Sequence, residues 1–217
     1  MVTAIDSVEI DLGPLHLKAL LGAPADAEGL VIFAHGSGSG RLSPRNNRVA
    51  ASLRDAGLAT LLLDLLTPEE ERDRANVFDI ALLASRLSYA TDWSIAAPET
   101  AHLPIGYFGA STGAGAALVA AAEPRPVVKA VVSRGGRPDM AGDALPRVVA
   151  PTLLIVGSLD GHVIELNRVA YDRLVAPKEL VIVEGAGHLF EEPGTLAEVE
   201  RLAARWFRRH LAGEREL

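Results

Sequence analysis

Three side chains spread along this chain are of the types that together carry out acyl transfer: a hydroxyl at Ser111, a carboxylate at Asp160 and an imidazole at His188. Ser111 lies in Gly106-Tyr-Phe-Gly-Ala-Ser-Thr-Gly-Ala-Gly-Ala116, a G-x-S-x-G between an apolar run and a small-residue helical run. A serine at the tip of a tight strand-to-helix turn has its hydroxyl pushed clear of the backbone. The flanking glycines are required because side chains there would collide with the neighbouring strand and helix. The same turn aims the N–H of Thr112 at the space beside the hydroxyl, where an oxyanion would form. An ordinary hydroxyl is a poor nucleophile near neutral pH and needs an imidazole within reach to take its proton. His188, in the loop Gly185-Ala-Gly-His-Leu-Phe190, is the base of choice, and Asp160, in Gly157-Ser-Leu-Asp-Gly161, is the acid. A carboxylate on the second ring nitrogen fixes the tautomer and stabilises the imidazolium.

Each assignment has a competitor. Asp139 follows the preceding strand and is the alternative acid, with Glu184 a third; any of these aspartates also suits a helix N-cap. His16, His102, His162 and His210 are less well placed than His188, and His35 is expected to shape the loop after it through hydrogen bonds. That loop, Gly36-Ser-Gly-Ser-Gly40, reads as the second half of an oxyanion hole, with Ser37 as the backbone donor. A dinucleotide fingerprint fails because Arg41 stands where the third glycine belongs, and a plain flexible loop is the remaining alternative. No G-K-[ST] follows the glycines at 109 to 115, so a phosphate-cradling loop is excluded there. Asp160 and His162 are the one close pair of potential metal ligands, and no metal or cofactor site is expected. Arg45 and Arg134 both follow strand-end loops and could meet an anionic substrate, although a salt bridge or a solvated side chain is the commoner role. Leu65, Trp93 and Phe190 could line an acyl pocket, although apolar side chains there more often belong to the core.

The elements that must position these residues alternate. A half-exposed hairpin is expected over Val8 to Leu20 around Gly13-Pro14. All-apolar strands follow at Gly29 to His35, Ala59 to Leu63, Ile105 to Phe108, Val127 to Ser133, Thr152 to Val156 and Leu180 to Val183. Helices are expected over about 46–56, 77–93, Ala114 to Ala122, 163–174 and 196–211. This predicts an α/β fold with a mostly parallel sheet, helices on both faces and an antiparallel N-terminal hairpin. In such sheets function gathers at the carboxyl ends of the strands, where His35, Asp64, Ser111, Asp139, Asp160 and His188 all fall.

The whole composition agrees. A chain of 217 residues reads as one domain spanning 1–217, and 49% hydrophobic residues supply a large core. A formal net charge of −7 argues against nucleic acid and anionic membranes. There are no cysteines, so disulfides and thiolate metal sites are excluded. Met1 to Ile10 lacks the basic start and apolar centre of a signal peptide. Thr100 to Ala122 carries no charged side chain and has the length of a membrane span, but Pro104 and its glycines break it into a buried strand and helix. A soluble, cytoplasmic protein is expected.

Four stretches together resemble a known superfamily, the α/β-hydrolases, and within it the small, lidless, dienelactone hydrolase-like group. They are Phe33-Ala-His-Gly-Ser-Gly-Ser-Gly40, Gly106-Tyr-Phe-Gly-Ala-Ser-Thr-Gly113, Val156-Gly-Ser-Leu-Asp160 and Gly185-Ala-Gly-His188, within a resemblance running from about Gly29 to Leu211. The resemblance implies a nucleophile at Ser111, acid at Asp160, base at His188 and oxyanion donors at Ser37 and Thr112. Dienelactone hydrolases proper use a cysteine at the elbow, and this chain has serine, so a serine carboxylesterase-like enzyme acting on small esters or lactones is expected. Thioesterase, peptidase or perhydrolase chemistry would use the same serine, and a non-catalytic binding module on the same fold is the reading from another class. Leu65 to Asn76 is the longest candidate flap.

Overall fold

The computed structural model describes residues 7–124 and 127–213. Of the segment weighed as a leader, residues 1–6 therefore lie outside the described residues. Eight strands form a single sheet: β1 (Val8–Leu12), β2 (Leu17–Gly22), β3 (Leu30–Ala34), β4 (Ala59–Leu63), β5 (Ile105–Ala110), β6 (Val128–Arg134), β7 (Thr152–Gly157) and β8 (Lys178–Val183). Their spatial order is β1-β2-β4-β3-β5-β6-β7-β8. β1 and β2 are antiparallel to each other, and β2 is antiparallel to β4; every pairing from β4 to β8 is parallel. The helices are α1 (Pro44–Asp55), α2 (Arg74–Phe78), α3 (Ile80–Ala96), α4 (Thr112–Ala121), α5 (Gly161–Arg173) and α6 (Thr195–Leu211). This is the α/β-hydrolase architecture.

The all-apolar strands mean burial on both faces. In β3, Val31 and Phe33 join a core with Val49 and Leu53 of α1 and Val199 and Phe207 of α6. The intervening Leu30, Ile32 and Ala34 join a second core with Leu83 and Leu87 of α3, Leu118 of α4 and Ala170 of α5. Side chains alternate across a strand, so one run of five buried residues serves two layers at once. Among the described residues no helix is long and apolar enough to cross a membrane. Thr100 to Ala122 is instead part of a buried strand and the helix after it.

Two expectations need correction. The helix expected over 77–93 is two helices, because Asp79 takes an extended conformation and its carboxylate accepts the Leu82 N–H at 3.0 Å, starting α3 afresh. The alternation read in β1 is only partly realised: Leu12 is buried, whereas Val8 is 64% exposed. A 3-10 segment over Pro138–Arg147, which packs beside α4 and α5, was not expected from the sequence.

Candidate active site

Parallel strands β3, β5, β7 and β8 deliver four loops to one sheet edge. At the end of β5 the chain turns at Ser111, whose φ of 51° is unusual for a residue with a side chain. Such a conformation costs about 1–3 kcal/mol and persists only where the surroundings enforce it. Here the enforcement is close packing: a methyl group at Gly113 would lie 2.2 Å from the Ala34 carbonyl oxygen, and one at Gly109 would lie 2.5 Å from Ala114 Cα. Helix α4 then starts at Thr112, whose N–H, in the first turn, has no intrahelical acceptor.

Asp160 stands at the N-cap position of α5, yet its side chain makes no capping bond. Its carboxylate turns instead to His188, with Oδ2 at 2.6 Å from the ring Nδ1. The acid loop and the histidine loop are held together by two main-chain bonds, Ser158 N–H to Val183 O and Leu159 N–H to Ala186 O, both at 2.9 Å, and by Gly185 N–H donating to the Ser158 hydroxyl at 2.8 Å. Gly157 permits this approach, since a methyl there would lie 2.2 Å from Ala186 O. Glu192 also braces the loop: backbone N–H groups, that of Gly187 first, hold its carboxyl below the usual carboxylate range.

Ser111 and His188 line one cavity of about 280 Å³, together with Gly36, Ser37, Ser39, Arg45 and Arg134. Among the described residues no hydrogen bond joins the Ser111 hydroxyl to the His188 ring. Bonds of this kind are commonly long in free enzymes and tighten in the Michaelis complex. The Ser37 N–H donates to Thr112 Oγ1 at 3.0 Å, so the hydroxyl of Thr112 occupies the donor that the sequence assigned to an oxyanion. A substrate oxygen there must share that N–H or displace the hydroxyl.

The competing acid is engaged elsewhere: both carboxylate oxygens of Asp139 accept from Arg137, each at 2.8 Å. His35 shapes its loop as expected and also ties it to the next one. Leu65 N–H donates to its Nε2 at 3.0 Å, which leaves the ring proton on Nδ1, 2.9 Å from Gly36 O. Burial pushes its pKa down, and the neutral ring is the one that satisfies both bonds. Asp64 is structural: it accepts Arg41 N–H at 2.7 Å and pairs with the Arg41 guanidinium at 2.5 Å, anchoring the 36–43 loop. Among the described residues no group of three histidines or carboxylates is gathered as a metal would require.

A solved structure of a dienelactone hydrolase from Anabaena variabilis ATCC 29413 is 58% identical to this chain, with a TM-score of 0.90, covering 94% of this chain and 97% of that one. The chain belongs to the dienelactone hydrolase family. Est1E from Butyrivibrio proteoclasticus, at 18% identity, shares the fold with a TM-score of 0.79 over 95% of this chain and 99% of its own. No family model matches the chain. Two curated proteins of Mycobacterium tuberculosis, from strains CDC 1551 / Oshkosh and ATCC 25618 / H37Rv, are 61% identical over 208 residues, 96% of this chain. Both are provisionally named phosphoribosyl transferases, and this chain spans only 47% of their length.

In this dienelactone hydrolase family member the three apolar side chains weighed for an acyl pocket take the commoner alternative, the core. Leu65 and Phe190 are fully packed in the two cores, and Trp93 packs against one of them. A second cavity, of about 250 Å³, is lined instead by Leu66, Val77, Leu83, His35, Thr112, the 36–39 loop and one carboxylate, Glu71. Val77 belongs to the short helix α2, one residue past the Leu65 to Asn76 segment, and Leu83 follows the unforeseen break at Asp79. The Asp79 cap was the available signal.

Proposed function

We propose that this chain is a serine hydrolase that cleaves small carboxylic esters or lactones through an acyl-enzyme. The observation that carries the reading is the His188–Asp160 pair at 2.6 Å, opening on the same cavity as the strained Ser111 turn. Ser111 Oγ adds to the ester carbonyl while His188 takes its proton and passes it to the leaving alcohol; His188 then activates water to release the acid. Asp160, bonded to Nδ1, keeps Nε2 as the proton acceptor and stabilises the imidazolium. The Thr112 N–H and the Ser37 N–H, released from Thr112 Oγ1, receive the oxyanion. The family membership supports hydrolysis, and the serine at the elbow favours a general esterase over the cysteine-dependent members.

We assign the phosphoribosyl transfer named for the mycobacterial relatives to the part of those proteins outside the shared 208 residues, because the residues of this chain favour acyl transfer and it spans only 47% of their length. The experiment is turnover of nitrophenyl acetate and butyrate by the native protein, with Ser111→Ala and an organophosphonate as controls. Turnover that the substitution and the phosphonate both abolish is expected. A native protein that neither cleaves these esters nor is labelled at Ser111 overturns the reading.

A further inference from the structure

The cavity beside Ser111 holds a buried charge without a counter-charge. Arg134, at the end of β6, is 6% exposed. Its guanidinium donates to Asn46 Oδ1 at 3.1 Å and lies 5.9 Å over the Phe190 ring, while its Nε has no partner. No carboxylate of the described residues bonds to it. Arg41, Arg86 and Arg137 each reach one, in Asp64, Glu70 and Asp139. The charge that acts on Arg134 is of the same sign: burial and then Arg45 bring its pKa down to about 10. Arg45 lines the same cavity, held at its outer side by the exposed Glu191 at 2.7 Å, with its own Nε unpartnered. A buried guanidinium is costly unless an anion meets it. Ser37, Ser39 and Ser43 add hydroxyls to the wall, and the start of α1 adds the favourable end of a helix dipole.

The two cavities meet along Gly36, Ser37 and Ser39, and they differ in chemistry: one has Leu66, Val77 and Leu83 with the carboxylate Glu71, which would repel an anion, and the other has Arg134 and Arg45. The base decides which part of an ester enters which. His188 must protonate the leaving oxygen, and His188 lines the arginine cavity and not the apolar one. We propose that the arginine cavity is a leaving-group subsite, so that the substrate is an ester of an apolar acid with an alcohol carrying a carboxylate or phosphate. This rests on the serine-hydrolase reading. In the reaction the Ser111 Oγ–acyl bond forms, the acyl–oxygen bond to the anionic alcohol breaks, and the Ser111 proton leaves with that alcohol through His188. Water then splits the acyl-enzyme, restoring the hydroxyl and freeing the apolar acid.

The test compares butyrate esters of 4-hydroxybenzoate, 4-hydroxyphenyl phosphate and neutral 4-hydroxybenzamide, and phenyl hemisuccinate, whose charge is on the acyl side. For the native protein, kcat/KM is expected to be about 10- to 100-fold higher for the anionic-alcohol esters than for the benzamide ester, as a charged hydrogen bond implies. The hemisuccinate should gain nothing. Arg134→Gln should collapse the anionic-to-neutral ratio towards one. The carboxylate and phosphate arms identify which anion fits, and preference for either supports the subsite. If Arg134→Gln does not fold, the native ratios alone decide. Cleavage of all four esters without preference, or a preference for the hemisuccinate, overturns the subsite and leaves the hydrolase reading standing. Failure to cleave any of them, with no phosphonate labelling, overturns the hydrolase reading itself and the subsite with it.

Discussion

Gly157→Ala tests whether the acid and the base act as one rigid pair. The added methyl carbon would stand 2.2 Å from Ala186 O and 2.7 Å from both Ala186 C and Gly187 O, all backbone atoms with no side chain to swing away. Ordinary contact begins near 3.4 Å, so the histidine loop must retreat by roughly 1.2 Å. Added to the 2.6 Å between His188 and Asp160, that retreat takes the pair beyond hydrogen-bond range. A misplacement of about 1 Å costs about 10²-fold in rate, and loss of the orienting carboxylate costs up to about 10⁴-fold. The expected loss in kcat/KM is therefore about 10²- to 10⁴-fold, equivalent to about 2.7–5.5 kcal/mol at the barrier. Stability should fall by only about 1–3 kcal/mol, the usual range for overpacking. The assay is nitrophenyl butyrate turnover beside thermal unfolding, with Gly161→Ala as the control. Nothing lies within 4 Å of a methyl at Gly161, and that variant should match the native enzyme. A folded Gly157→Ala protein with native kcat/KM would refute the reasoning.

Asp160→Asn should lower kcat by about 10³- to 10⁴-fold while barely changing the melting temperature, because the Asp160 side chain caps no helix; a large loss of stability would instead make it a structural residue. His35 gives a pH prediction. Burial lowers its folded pKa below the ordinary 6.5, so as pH falls through that value the unfolded chain takes up a proton that the folded chain refuses. Stability is then lost towards acid pH by at most about 1.4 kcal/mol per unit. Denaturant unfolding at several pH values should show this slope in the native protein and not in His35→Gln; equal slopes refute it.

The parts of the site legible in the sequence are those built by local chain. The Ser111 turn is one: its glycines, the strand before it and the helix after it lie within eleven residues, although the packing that forces its φ also draws on the Ala34 carbonyl of β3. The fold was legible because the unalternating apolar strands require cover on both faces. Choosing Asp160 over Asp139 depended on strand order, and the structure engages Asp139 with Arg137, two residues away. The pocket was not legible. Whether Leu65 or Leu66 faces a cavity depends on how α2 and α3 lie over the sheet edge, and that follows from the single cap at Asp79. The environment of Arg134 was equally hidden, because Asn46, Phe190 and Arg45 come from distant segments.

The main-chain bonds between the loops after β7 and β8 have a further consequence. Proton-handling side chains sit on one adjacent pair of strands, while the attacking oxygen and its Ser37 neighbour sit on β5 and β3, with β6 between the two pairs. The machinery is thus two half-assemblies whose relative spacing is set by one intervening strand, and Arg134 is the last residue of that strand. A ligand drawn to Arg134 would grip the spacer itself, coupling occupancy to the alignment of the two halves.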